Sequence, residues 1–142
     1  MKVLLDTNLY ISYLLSNRGR RTISDIIRAC LGRADIELLV PQEVIAELTR
    51  SVQGKPYLRA RISQQDLDDL LETLGQNAII PPSLETILPL SRDPDDDYLL
   101  AYGLMESADY LVTGDDDLLA LGSVESLTII SAPRFWKLLG LG

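Results

Sequence analysis

Short apolar runs alternate with amphipathic stretches along most of this chain, and that alternation narrows the architectures open to it. Lys2–Leu5, Ile36–Val40, Ala78–Ile80, Asp109–Thr113 and Leu127–Ile130 read as short strands. Between them, apolar residues recur at helical spacing. Asn8–Ser16 carries Leu9, Ile11, Tyr13, Leu14 and Leu15 and is broken by Asn17-Arg18-Gly19. Thr22–Gly32 carries Ile23, Ile26, Ile27, Cys30 and Leu31, with Gly32 as its C-terminal cap. Pro41 opens a helix from Gln42 to about Ser51, since proline suits a first turn. Gly54-Lys55-Pro56 interrupts it, and Tyr57–Arg61 reads as a short helical turn. Ser63 caps a helix reaching Leu74, with Asp66 three residues on. Pro94–Ser107, Asp116–Leu121 and Ala132–Leu139 are further helices. Strands this short and apolar need cover on both faces, which crossover helices around a parallel sheet supply. The predicted fold is α/β: a three-layer α/β/α sandwich around a central parallel sheet, in one domain over residues 1–142. In such sheets, binding and chemistry collect at the carboxyl ends of the strands.

The side chains on offer restrict that chemistry. The chain has no histidine, one cysteine (Cys30) and three lysines. Nucleophilic triads, imidazole acid–base pairs and histidine-rich zinc sites are excluded. A lone cysteine within an apolar helical pattern fits a reducing cytoplasm and not a disulfide framework. No apolar run reaches the ~18–20 residues of a membrane span, and the start lacks the apolar stretch of a secretory signal. Carboxylates remain as the main chemical tool, and carboxylates in a cage hold hard cations such as Mg²⁺ or Mn²⁺.

A net charge of −8 argues at first against a phosphate-bearing partner. The distribution is uneven. Residues 1–61 carry ten basic and six acidic groups, net +4, and residues 62–142 carry three basic and fifteen acidic, net −12. Arginines dominate the first half, including Arg18, Arg20, Arg21 and Arg50. They read either as a solvated helical surface or as a phosphate-contacting rim beside an acidic centre.

The acids sit where the pattern ends strands and opens helices. Asp6 follows the first strand, and either caps the next helix or, with Thr7 and Asn8 sharing the capping, is free to bind metal. Glu47 borders the buried stripe of Val44, Ile45, Leu48 and Val52, and Glu43 lies one turn earlier; spacing does not separate them. Asp93 before Pro94 is an N-cap arrangement, and acids in a first turn favour the helix dipole. Asp97 continues the stripe of Leu100, Ala101 and Leu104, whereas Asp96 borders one through Leu99 and Gly103. Asp115, Asp116 and Asp117 follow the Tyr110–Val112 strand; one can cap the next helix, while their mutual repulsion favours a cation or full solvation.

Taken together, Asp6-Thr7-Asn8 after the first strand, Val44–Leu48 with Glu47, the run from Arg92 to Leu100 and the run from Ala108 to Leu119 resemble the PIN-domain nucleases. The likeness is strongest to the bacterial branch of toxins from toxin–antitoxin pairs, related to VapC-type toxins, and spans residue 2 to about 130. It implies a metal-dependent ribonuclease. The family's four acids fall on Asp6, Glu47, Asp97 and Asp115, which are the implied catalytic residues and metal ligands, with Asp117 extending the metal set. Asn8, Thr113 and Asp96 fall on supporting positions. The aspartate runs leave Asp96 against Asp97, and Asp115 against Asp117, open.

The function expected is cleavage of single-stranded RNA with Mg²⁺ or Mn²⁺ as cofactor, leaving 5′-phosphate and 3′-hydroxyl ends. RNA contacts are expected from Arg18, Arg20, Arg21 and Arg50. The partners expected are an antitoxin protein and a second copy of the chain, the latter through the Asn8–Gly32 and Arg61–Leu74 helices. Phosphotransfer of the receiver-domain kind needs a lysine near the end of the last strand, and none precedes Lys137. The alternative is a non-catalytic PIN-fold binding module.

Overall fold

The computed structural model describes residues 1–15, 21–84 and 97–141, with Asp97 described by its backbone alone. The elements run β1 (Lys2–Leu5), α1 (Thr7–Leu15), α2 (Arg21–Gly32), β2 (Glu37–Leu39), α3 (Gln42–Gly54), α4 (Pro56–Arg61) and α5 (Gln64–Asn77). They continue with α6 (Asp97–Met105), β3 (Tyr110–Val112), α7 (Asp116–Leu119), β4 (Ser123–Val124), β5 (Leu127–Ile130) and α8 (Ala132–Leu138). Helices flank a five-stranded sheet of order β2-β1-β3-β5-β4, giving the α/β/α sandwich. No helix among the described residues is long and apolar enough to cross a membrane.

Burial explains the composition of the strands. Val3, Leu4 and Leu5 of β1, Leu38 and Leu39 of β2, and Leu111 and Val112 of β3 are all buried, as strands covered on both faces must be. β1 pairs in parallel with β2 and β3, and β3 in parallel with β5. From β1 the chain moves to β2 on one side, then returns to β3 on the other. That reversal leaves a crevice at the carboxyl ends of β1 and β3, where α/β sheets place their sites. One glycine helps to set the layer above it. A Cβ on Gly103 would stand 2.8 Å from a Leu127 methyl and 3.3 Å from one of Leu4, so glycine lets α6 lie close against β1 and β5.

The sheet departs from the sequence reading at both edges. The strand expected over Ala78–Ile80 is a single parallel bridge, Leu39 to Ile79. Ala78 is still the C-cap of α5, which runs past Leu74 to Asn77, and Pro81 and Pro82 have no N–H to extend a ladder. At the other edge, β4 is an antiparallel strand that periodicity did not reveal, so the sheet is mixed rather than parallel throughout. Two residues are too few to show alternation. The hairpin joining β4 to β5 turns through Glu125 at φ 53°, without the Asn-Gly or Asp-Gly that marks such turns in a sequence. Gly32 ends α2 without a left-handed turn, since the Arg33 N–H still reaches the Ala29 carbonyl. The Ser63 cap forms as expected, its hydroxyl accepting from the Asp66 N–H at 3.0 Å.

Candidate active site

The crevice is built by two residues just beyond their strands. The Asp6 N–H donates to the Val112 carbonyl at 2.9 Å, and the Thr113 N–H to the Ile130 carbonyl at 3.0 Å. The ladders thus carry Asp6 and Thr113 to adjacent positions at the sheet's end. Asp6 is 6% exposed and Thr113 fully buried. The Thr113 hydroxyl donates to Asp6 Oδ2 at 2.7 Å and accepts from the Asp115 N–H at 3.0 Å. Burial pushes the Asp6 carboxyl above the ordinary aspartate range, and the negative charge of Glu47 adds to this. The Thr113 hydroxyl and the N–H groups of Thr7 and Asn8 oppose the rise by favouring the ionised form. Asp6 therefore takes bonds from the start of α1, as a cap would, while also facing a second carboxylate.

Glu47 is held from the other side of the crevice. Its Oε2 accepts from the Tyr98 hydroxyl at 2.7 Å and from the Thr7 hydroxyl at 3.1 Å, and those two oxygens are 3.5 Å apart. Burial, with help from Glu47, raises the Tyr98 phenol far above its usual range, so it remains a donor. Glu43 is engaged differently. Its Oε1 accepts from the Tyr102 hydroxyl at 3.0 Å, and the Tyr102 oxygen accepts from the Leu84 N–H at 3.2 Å. Two glutamates four residues apart on α3 therefore meet two tyrosines four residues apart on α6. The two glutamates, which spacing left alike, differ in their contacts: Glu47 bonds to Thr7, next to Asp6, and Glu43 to Tyr102.

Sequence reading missed Thr7 and Tyr98 as the donors to Glu47. Capping is one role the sequence offers Thr7; its hydroxyl bonds the glutamate. The matched four-residue spacings, Glu43/Glu47 and Tyr98/Tyr102, are the signal that could have paired the two helices.

Asp115 is the N-cap of α7, its Oδ1 accepting from the N–H groups of Asp117 at 2.8 Å and Leu118 at 3.3 Å. Asp117 contributes its N–H to this turn, and its side chain, like that of Asp116, is exposed. Asp97 opens α6 one residue before Tyr98, and its side chain lies outside the described residues, as do Asp96, Arg18 and Arg20. Asn8 lies exposed on the first turn of α1. Arg21 and Arg50 are exposed at the start of α2 and on α3. Among the described residues, neither Asp6 nor Glu47 forms an ion pair with lysine or arginine.

Comparison with known proteins settles the family. The PIN domain family matches residues 2–117. The chain belongs to the PIN domain family. PIN domains are generally nucleases that use divalent metals. No curated protein matches the chain. In structure, this PIN domain is similar to a chain of VapBC2 from Rickettsia felis, crystallised bound to a DNA fragment from its promoter. The two superpose with a TM-score of 0.59 over 92% of this chain and 98% of the other, at 16% identity.

The donor chemistry of the PIN domain fits a hard cation. The groups at the crevice are oxygens, the chain has no imidazole, and burial pushes the single thiol, Cys30, up to about 12. Among the described residues, no three carboxylates stand close enough to share one ion. Asp6 and Glu47 form the pair whose charges are felt across the crevice.

Proposed function

We propose that this PIN domain is a metal-dependent endoribonuclease that cuts single-stranded RNA, acting in the cytoplasm as the toxin of a toxin–antitoxin pair. The observation that carries the reading is a buried aspartate, Asp6, at the strand-order reversal, with Glu47 bonded to the next residue, Thr7, and neither carboxylate ion-paired to a lysine or arginine among the described residues. Two such anions are costly to keep ionised together unless a cation joins them.

Asp6, Glu47, Asp97 and Asp115, with Asp117, would hold one or two Mg²⁺ or Mn²⁺ ions, directly or through water, no three of the described ones sharing a single ion directly. When bound, the ion would supply an acidified water and offset negative charge on the phosphate. The chain's own residues set the geometry. Thr113 fixes the Asp6 carboxylate and, through the Asp115 N–H, ties it to the start of α7. Thr7 and Tyr98 fix one oxygen of Glu47 and leave Oε1 outside those two bonds. Arg21 and Arg50, exposed, are the described cations offered to the RNA backbone. The toxin role draws support from the fold shared with the VapBC2 chain, and it calls for an antitoxin that covers the acids. A homodimer through the α1–α2 and α5 surfaces belongs to the same proposal.

The test is incubation of the purified protein with Mn²⁺ and a labelled RNA pool, beside Asp6→Asn. Cleavage by the wild type and none by the variant is expected, with 5′-phosphate and 3′-hydroxyl ends. Equal cleavage by both proteins would overturn the site. Binding without cleavage would make the protein a binding module instead.

A further inference from the structure

A cavity of about 540 Å³ adjoins the strand ends that carry the acids. Thr113 and Asn8 form its near wall, Leu9 and Ile23 give it apolar surface, and Ser131 and Arg21 add polar groups. Among the described residues that line it, Arg21 alone is charged. In a chain of net charge −8, a chamber without a lining carboxylate beside the acidic centre is a local exception. Its volume falls within the range of small-ligand sites, ~300–1,000 Å³, and its mixture of apolar wall and a few polar groups is typical of them. An amide and hydroxyls over apolar surface suit the edge and face of an unpaired base. Arg21 suits a phosphate. Its side chain is 90% exposed, and its ion pair with Asp25 is long, at 3.8 Å. The same Asp25 oxygen already accepts from the Trp136 indole at 3.1 Å, so Arg21 can turn to an incoming anion.

We propose that this cavity is a nucleotide subsite, taking the base next to the scissile phosphate with that nucleotide's outer phosphate on Arg21, and so setting the base preference of cleavage. The inference rests on the nuclease reading above, but its first test does not need turnover.

The four ribonucleoside 5′-monophosphates are titrated into the full chain and followed by amide NMR. Resonances of Asn8, Arg21, Ile23 and Gly114 should move, and one base should bind more tightly than the others. Arg21→Gln should weaken binding about tenfold, the scale of one charge-assisted contact. Gly114→Leu adds bulk to the cavity wall; a Cβ there meets nothing within 4 Å, so this variant should melt like the wild type and lose binding. Still resonances, or variants that bind as the wild type does, overturn the subsite. Cleavage maps on the RNA pool then separate the two claims. An unchanged base preference in Gly114→Leu sinks the subsite and leaves the nuclease standing. Nucleotide binding in the cavity of a protein that cuts no RNA sinks the nuclease reading, and with it the role in cleavage preference, and keeps the cavity as a nucleotide-binding site.

Discussion

Asp6 and Asp115 each stand between a sheet strand and a helix, Asp6 one residue past β1 and Asp115 three past β3, and their surroundings differ. Asp6 is 6% exposed, shares its crevice with Glu47 and is pushed above the ordinary aspartate range. Asp115 is partly exposed and uses one oxygen to cap α7. The difference teaches that an aspartate after a strand is defined by what closes over it. β1 and β3 are both interior strands, but Asp6 directly follows β1, where it takes bonds from the start of α1 and from the neighbouring strand's Thr113 hydroxyl. The turn after β3 leads straight into the four-residue α7, which leaves Asp115 nearer to solvent.

The sharpest way to break this contrast is Asp6→Asn. Cleavage should fall roughly 100-fold or more, the scale for removing an electrostatic element of a site. The same variant should melt higher than the wild type at neutral pH without metal. The sign follows from linkage: a carboxyl raised in the folded state holds its proton there after the unfolded chain has lost it. Wild-type stability therefore falls as pH rises from the ordinary aspartate value through the raised Asp6 value. Melting curves over that window, flatter in Asp6→Asn, check it; a wild type that gains stability there would reverse the assignment.

Thr113→Val keeps the shape and removes the hydroxyl that serves Asp6 and the Asp115 N–H together. A cost of about 1–3 kcal/mol in denaturant unfolding is expected for the partners left unsatisfied. Because that hydroxyl holds the Asp6 pKa down, the acid limb of the cleavage–pH profile should move to higher pH. An unmoved limb would mean that Asp6 does not govern it.

The two tyrosines sharpen the comparison along α6. Tyr98→Phe should lower cleavage about tenfold, the lower scale for a group that orients a metal ligand. Tyr102→Phe removes the same bond from Glu43 and should leave the rate unchanged. Similar rate losses in both would point to helix docking rather than to Glu47.

The smallest effects on stability belong to the acids after β3. Asp115→Ala should cost about 1 kcal/mol as a lost cap, whereas Asp116→Asn, exposed, should stay within about 0.5 kcal/mol. Urea midpoints of the two, measured side by side, would show whether capping sets Asp115 apart from its neighbour.

Much of this molecule was legible locally. Val3-Leu4-Leu5 and Tyr110-Leu111-Val112 announced buried strands, and Ser63 with Asp66 announced a helix start. The partnerships of the crevice were not legible, since Asp6 and Thr113 are 107 residues apart and Glu47 and Tyr98 are 51 apart. Glu43 and Glu47 looked alike for the same reason. Each sits on the same helix at the edge of the same stripe, and only the approach of α6 gives them different tyrosines.

By itself the sequence determined which chemistry the chain can hold, because residue types do not depend on folding: oxygen donors, no imidazole, and a thiol within an apolar helix. It also determined the alternation of strand and helix, because backbone pattern and apolar spacing act over a few residues. Tertiary structure decided that Glu47 rather than Glu43 bonds to Thr7, next to Asp6, and that Ile79 pairs for one residue instead of a strand. Burial and hydrogen bonding between distant segments exist only once the sheet has brought them side by side.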